Sequence, residues 1–462
     1  VVDPIETKPV EGGNVLLVVI DTLNAKHLGA YGYERDTSPT IDALARDGLL
    51  LTNYVSNCPW TRPSMATIMT GLPKAEHHME LNCPPLADEI TTLAERFREA
   101  GYRTGGFVGN PLVRAKWGFG QGFETYVDAA ELDTYSMADD SVIAKRAVRW
   151  IKQVADEPFF ALVFFTSPHI PYRVARKHPP FFKRLPEGYV IERPKREYPE
   201  GMEPGVRAWT MAAYDSEILY TDSQLARLLK QLERSKIRDK TAIVITADHG
   251  EMFGPHGCFT HTYHMWEPVL RVPFIVSAPG MSASGVYDDR PFTHVDVAPT
   301  LLDLAGIDPP GPELDGESIV ETLTRPGAGR DRQLFGQYNA HGIRRETTRK
   351  GRWKLVHHHQ VEESALQSLT MFQGDPNDPP DTEDLPSLAW QGERYELYDL
   401  ATDPEENVNR FEQRKGEAET AELMAAILDF LQSNGETSVE IDDDLKQALE
   451  ALGYLGTPAD GP

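Results

Sequence analysis

Asp21, Thr61 and the pair Asp248–His249 are the residues of this chain whose types and settings suit chemistry on an ester. Asp21 directly follows an apolar run, and a carboxylate at the carboxyl end of a buried strand is well placed to bind a ligand or a metal. An aspartate there also serves as a helix cap. Asp248-His249-Gly250 follows a second apolar run at 241–246. A carboxylate with an imidazole suits a hard-to-borderline divalent cation, and neither group is expected in a loop for stability alone. Thr61 precedes Arg62-Pro63-Ser64, and Met65, Ile68 and Met69 follow at helical spacing. Pro63 fits the first turn of a helix. Thr61 therefore stands near a helix N-terminus, where free N–H groups and the dipole attract anions. It reads either as an ordinary N-cap or as a nucleophile whose hydroxyl a nearby cation makes more acidic.

Strands and helices alternate around these residues. Runs at 14–20, 159–165, 241–246 and 272–276 are apolar and rich in β-branched or aromatic residues, the pattern of strands buried on both faces. A weaker strand pattern covers 103–108. Segments 39–47, 86–100, 140–155, 206–232 and 295–305 carry apolar residues at helical spacing. The alternation predicts an α/β domain over residues 1–330, with a large, mainly parallel sheet sandwiched by helices. After Asp308-Pro-Pro-Gly-Pro312 the composition shifts. Shorter, more exposed strands are expected at 333–340, 352–358 and 394–400, and helices at 418–433 and 443–452. Residues 331–462 thus form a small C-terminal α+β subdomain. His357-His358-His359 reads as a surface strand end and not as a metal site. Residues 374–386 read as a loop.

The chain of 462 residues is too long for one ordinary core. With 46 basic and 71 acidic residues its net charge is −25, which disfavours nucleic acid and anionic membranes as partners. No apolar run reaches bilayer length. Three cysteines, Cys58, Cys83 and Cys258, leave at least one thiol unpaired in a monomer and have no zinc-ligand spacing. Cys58 reads as a small buried residue. The sequence starts at Val1; a periplasmic or secreted location is expected if a leader was removed, and a cytoplasmic one otherwise.

Family-like motifs run along nearly the whole chain. They include Val18-Val-Ile-Asp-Thr-Leu23, Gly29-Ala-Tyr-Gly-Tyr33, Thr37-Ser-Pro-Thr40, Cys58-Pro-Trp-Thr-Arg-Pro-Ser-Met65 ending in Thr70-Gly71, Ser167-Pro-His-Ile-Pro171, Asp248-His-Gly250, Gly351-Arg-Trp-Lys-Leu355 and Leu397-Tyr-Asp-Leu400. In this order they resemble the sulfatase branch of the alkaline phosphatase superfamily. The resemblance implies an alkaline phosphatase-like fold and one divalent cation (Ca, Mn, Mg or Zn) bound by Asp21, Asp248 and His249, with Thr61 as a further ligand and as nucleophile. It implies a small anionic ester as substrate. It places His169 and His261 against the transferred group or the leaving oxygen, with Asn82, Asn110 and His77 as further substrate-binding candidates. Two positions depart from the family pattern. Met65 stands where sulfatases carry Arg, and Thr22 where many carry a second carboxylate.

The third departure bears on the chemistry. Sulfatases convert a Cys or Ser to an aldehyde, whose hydrate releases sulfate by elimination. Thr61 cannot become an aldehyde, and an ester on it must be cleaved by attack at sulfur or phosphorus. The expected activity is therefore metal-dependent cleavage of a phosphoester, a phosphodiester or phosphonate ester in particular, through a covalent Thr61 intermediate released by water (a hydrolase) or by an alcohol acceptor (a transferase). The alternatives are a sulfuric ester hydrolase using unmodified Thr61 and a catalytically inactive sulfatase-like binding protein. Residues 179–205, rich in Pro, Arg and Glu, read as a loop that sets specificity or as a plain surface excursion.

Overall fold

The computed structural model describes residues 12–80, 83–128, 137–170, 172, 181, 204–261, 263–279, 286–308, 314–320, 331–340, 343–360 and 393–433. The chain divides into two compact units. One comprises residues 1–264 and 268–330, and the other 265–267 and 331–462.

An eight-stranded sheet forms the larger unit. Its spatial order is Val286–Asp288, Leu49–Leu51, Phe274–Ser277, Thr241–Thr246, Asn14–Ile20, Phe159–Phe165, Arg103–Val108, Thr125–Val127. Pairing is parallel throughout except around Phe274–Ser277, which runs antiparallel to both neighbours. The central strands Asn14–Ile20 and Phe159–Phe165 are buried at every position. Their continuous apolar runs follow from helices covering both faces, and each fully buried Leu, Ile or Phe contributes roughly 1.5–3 kcal/mol. Phe97 stacks on Phe160 with centroids 4.5 Å apart, and Trp150 meets Phe159 edge to face. The weaker strand pattern at Arg103–Val108 is a real strand. Its Gly105 has no side chain because a Cβ there would lie 2.8 Å from the Trp150 ring.

Several boundaries differ from the sequence reading, for local reasons. The helix expected over 86–100 is confined to Leu93–Glu99, because Thr92 and Glu95 close a reciprocal capping box that starts it there. The strand expected from 272 begins at Phe274, since Pro273 has no N–H for the ladder. The helix expected over 295–305 is a 3₁₀ turn, His294–Asp296, followed by the α-helix Val297–Leu304.

The second unit carries a four-stranded antiparallel meander of Leu334–Ala340, Ile343–Lys350, Trp353–His358 and Arg394–Asp399. Helix Ala418–Ser433 packs on it around Leu355, Leu397, Leu423, Met424, Ile427 and Leu428. The strand Ile343–Lys350 escapes the sequence reading because its charged residues Arg344, Arg345, Glu346, Arg349 and Lys350 mask the alternation. The expectation of exposed strands here fails. Trp353–His358 is buried from Lys354 onward, and His357 and His358 are interior side chains, not a surface end. Residues 374–386 and 443–452 lie outside the described residues, as do 179–180 and 182–203 of the expected specificity loop. Among the described residues, no helix is long and apolar enough to cross a membrane.

Candidate functional site

Adjacent parallel strands bring their carboxyl ends to one edge of the large sheet. Asn14–Ile20 leads directly into Asp21, and Thr241–Thr246 reaches Asp248 two residues after its end. Arg103–Val108 leads to Asn110, and Phe159–Phe165 to the turn carrying His169. Asp21, Asp248 and His249 are fully buried, and one ligand atom from each lies within 4.8 Å of the others. His249 Nε2 stands 3.4 Å from Asp248 Oδ2 and 3.9 Å from Asp21 Oδ1. The other ring nitrogen, Nδ1, is 3.0 Å from the Gly250 carbonyl. A proton on Nδ1 therefore leaves the Nε2 lone pair facing the two carboxylates. Gly250 permits this turn because a Cβ there would lie 2.6 Å from the Pro268 carbonyl.

This donor set fits a divalent cation. Asp21 Oδ1 and Asp248 Oδ2 are buried without any hydrogen-bond partner, and both face the same centre as His249 Nε2. Burial, and after it the charge of Asp248, push the Asp21 carboxyl well above its usual range. A cation between them removes that conflict. The remaining oxygens are held by protein. Asn110 Nδ2 donates to Asp21 Oδ2 at 2.7 Å, and the N–H groups of Thr22 and His249 donate to Asp248 Oδ1 at 3.1 and 2.9 Å. Asn110, a candidate for substrate binding or for a structural hydrogen bond, makes the structural bond here and orients a carboxylate.

Thr61 is the first residue of the helix Thr61–Thr70 and is 2% exposed. Its Oγ1 lies 3.4 Å from His249 Nε2, beside the acidic pair. Met65 is buried in the core of the unit, so apolar packing occupies the position where the family pattern has Arg. Arg62 turns away, stacking over Trp117 at 4.3 Å and donating to the Glu80 carbonyl.

The loop after Asp21 is strained and braced. Thr22 has φ 58°, rare for a β-branched residue and costing about 1–3 kcal/mol. The Tyr214 hydroxyl donates to the Thr22 carbonyl at 2.7 Å and accepts the Asn24 N–H at 2.8 Å. Asn24 Nδ2 donates to the Glu251 and Pro268 carbonyls, tying this loop to the one bearing Asp248.

His249, His261 and His169 form a row, with ring centroids 4.4 Å and then 4.9 Å apart. Glu251 Oε1 lies 3.1 Å from His261 Nδ1 and fixes its ring. Thr260, just before His261, has φ 69°. Asp140 accepts the Thr166 N–H at 2.8 Å, the Ser167 N–H at 3.3 Å and the Thr221 hydroxyl at 2.6 Å, and so anchors the turn that carries His169. Burial pushes the Asp140 carboxyl up to about 6. The sequence reading missed Glu251 and Asp140. An acid three residues after Asp248 was a signal for Glu251. Asp140 carries no such signal, being indistinguishable in sequence from any acidic residue in the first turn of a helix.

His77 is not free to meet a substrate through its nitrogens. Nε2 is 3.0 Å from Thr67 Oγ1 and Nδ1 accepts the Met79 N–H, with the ring 2% exposed. Burial, and after it Lys74, lower its pKa to about 3. It supports the Thr61–Thr70 helix from within. Asn82 lies outside the described residues.

Comparison with known proteins identifies the family. A family model described as Sulfatase matches residues 13–307, and one described as N-sulphoglucosamine sulphohydrolase, C-terminal, matches residues 254–386. The chain is 27% identical over 367 residues to an ulvan-active sulfatase of Formosa agariphila, covering 71% of this chain and 68% of the relative. It is 26% identical over 405 residues to a choline-sulfatase of Rhizobium meliloti, covering 74% and 78%. In fold it resembles the phosphonate monoester hydrolase of Agrobacterium radiobacter, with TM-score 0.68, 20% identity and coverage of 91% and 96%. It also resembles a structure in complex with its substrate D-glucosamine-2-N,6-O-disulfate, with TM-score 0.73, 18% identity and coverage of 93% and 99%.

Proposed function

The chain belongs to the sulfatase family and is a hydrolase of sulfuric or phosphoric esters; from that premise we propose that it cleaves a phosphoester, a phosphodiester or phosphonate ester in particular, through a covalent intermediate on Thr61. The observation that carries this reading is the Thr61 hydroxyl beside His249 Nε2, at the start of a ten-residue helix. Threonine is a secondary alcohol and yields no aldehyde. Elimination from an aldehyde hydrate is therefore closed to it, and direct displacement is the remaining route. Phosphate esters of hydroxyl side chains are competent intermediates for such displacement.

Asp21, Asp248 and His249 would hold the divalent cation, with Thr61 beside them, and the cation would acidify the hydroxyl and offset charge on the substrate's non-bridging oxygens. Free N–H groups at the helix start add partial positive charge at the same place. Thr61 Oγ1, its proton lost to solvent, attacks phosphorus in line with the leaving oxygen. The new O–P bond forms as the P–O bond to the leaving group breaks. His169 or His261, as imidazolium, delivers its proton to that oxygen; an imidazole pKa near ~6.5 suits this near neutral pH. Water then attacks phosphorus, giving a proton to the imidazole just used, and the O–P bond to Thr61 breaks, its oxygen taking a proton from solvent to restore the hydroxyl. Glu251 keeps His261 in register for both steps.

The sulfatase names of the curated relatives support a second reading, sulfuric ester hydrolysis by unmodified Thr61. Turnover of nitrophenyl sulfate, phosphate, phosphodiester and phosphonate monoester by purified, cation-loaded protein separates the two. Fastest turnover of a diester or phosphonate, with a phosphorylated Thr61 peptide trapped by acid quench, is expected. Fastest turnover of the sulfate would replace the proposal with the second reading. No turnover of any of the four by cation-loaded protein would favour an inactive binding role.

A further inference from the structure

The second unit contains a separate cluster of metal-ligating groups. His357 and His359 are two apart on one strand and its extension, so both side chains point to one face of the sheet. Glu346 sits directly opposite His357 in the antiparallel ladder and shares that face. One ligand atom from each of the three lies within 4.8 Å of the others. His359 Nε2 is 2.6 Å, and His357 Nδ1 3.6 Å, from Glu346 Oε2.

The surroundings favour metal over a plain hydrogen-bond network. His357 is fully buried, and its Nδ1 has no hydrogen-bond partner. Its other nitrogen, Nε2, is 2.7 Å from Glu393 Oε1. A proton on Nε2 shared with Glu393 leaves the Nδ1 lone pair aimed at Glu346, the carboxylate–histidine arrangement that orients metal ligands. Tyr395 stacks on the His357 ring at 4.4 Å and 6°, fixing its plane. Arg344 Nε donates to the other Glu346 oxygen, Oε1, at 2.9 Å, while Oε2 faces the two imidazoles. Bonds of ~2.0–2.1 Å in a tetrahedral site put ligand atoms about 3.3 Å apart. The His357–Glu346 separation is already near that value. The His359–Glu346 pair, at 2.6 Å, must open by about 0.7 Å to reach it, and His359, with 19% of its side chain exposed, has room to do so.

We propose that Glu346, His357 and His359 bind a zinc-type divalent cation, with Glu393 as a positioning residue and His358, on the opposite face, taking no part. Two imidazoles and one carboxylate suit Zn²⁺, Co²⁺ or Ni²⁺ better than Ca²⁺ or Mg²⁺. The site is independent of the Thr61 cluster and of the reaction proposed there.

The test uses the full chain carrying Asp21→Asn and Asp248→Asn, which weakens the other cluster, stripped of metal and dialysed against zinc. One tightly bound zinc per chain is expected, together with the visible absorption of four-coordinate cobalt when Co²⁺ is used. Adding His357→Gln or His359→Gln should abolish both signals, Glu393→Gln should weaken binding about 10–100-fold, and His358→Gln should leave it unchanged. Circular dichroism checks folding; should His357→Gln unfold, the partly exposed His359→Gln decides. Absence of saturable zinc from the parent, or undiminished binding in His359→Gln, would overturn the proposal.

Discussion

Thr61 Oγ1 and His249 Nε2 stand 3.4 Å apart although 188 positions separate them in the chain. Only the sheet, through the strand that leads to Asp248, brings the helix start and the imidazole together. If that hydroxyl is the nucleophile, Thr61→Ala loses at least on the order of 10³-fold in kcat while cation binding persists. Thr61→Ser keeps measurable turnover of the same ester. Kinetics on a nitrophenyl diester with metal analysis of each variant checks this. An undiminished rate in Thr61→Ala excludes the mechanism.

Asp21 and Asp248 confront each other in a fully buried setting. Chelator-treated Asp21→Asn should therefore unfold a few degrees above the chelator-treated parent, on the order of 1 kcal/mol. Excess Mn²⁺ or Ca²⁺ should reverse the order, because only the parent keeps the full donor set. Scanning fluorimetry in both conditions reads the inversion. Stability that responds equally in both proteins counts against a cation at this position.

Glu251 holds His261 at 3.1 Å. Glu251→Gln loosens that ring and should cut kcat on the order of 10-fold while leaving KM nearly unchanged. Steady-state kinetics on the nitrophenyl diester checks this; an unchanged kcat would show that Glu251 positions no reacting group.

His77 and His294 are buried with pKa values lowered to about 3, burial being the main cause for both. In the unfolded chain each titrates near ~6.5. Between those values the unfolded state holds more protons, so stability falls as pH drops from about 6.5 towards 3 and is fully present above that window. His77→Gln should flatten the dependence by close to one proton per chain. Urea melts at several pH values measure the slope, and an unchanged slope would show that His77 protonates freely in the folded state.

Legibility of the sequence followed the kind of physics involved. Continuous apolar runs such as Asn14–Ile20 announced a sheet covered on both faces, and Asp21 and Asp248 could be placed at strand ends from that alone. Thr61 at a helix start was legible from Pro63 and the spacing of Met65, Ile68 and Met69. What stayed hidden depends on partners far along the chain. Asn110 reads as a substrate-binding candidate until the neighbouring strand sets it against Asp21. His77 reads as available until Thr67 and Met79 occupy both its nitrogens. The triple histidine reads as superficial because it closes a short strand pattern, whereas its burial comes from adjoining strands and the Tyr395 ring.

The hairpin joining Ile343–Lys350 to Trp353–His358 closes through Gly351 and Arg352, with Gly351 at φ 56°. Side chains downstream alternate between two environments, one holding His357 and His359, the other Lys354 and His358. Inserting one amino acid in this strand just after the turn would exchange the two sets wholesale, stranding a lysine among apolar groups. A paired insertion would preserve the assignment. Length drift among descendants of this gene is therefore expected to proceed here in even steps.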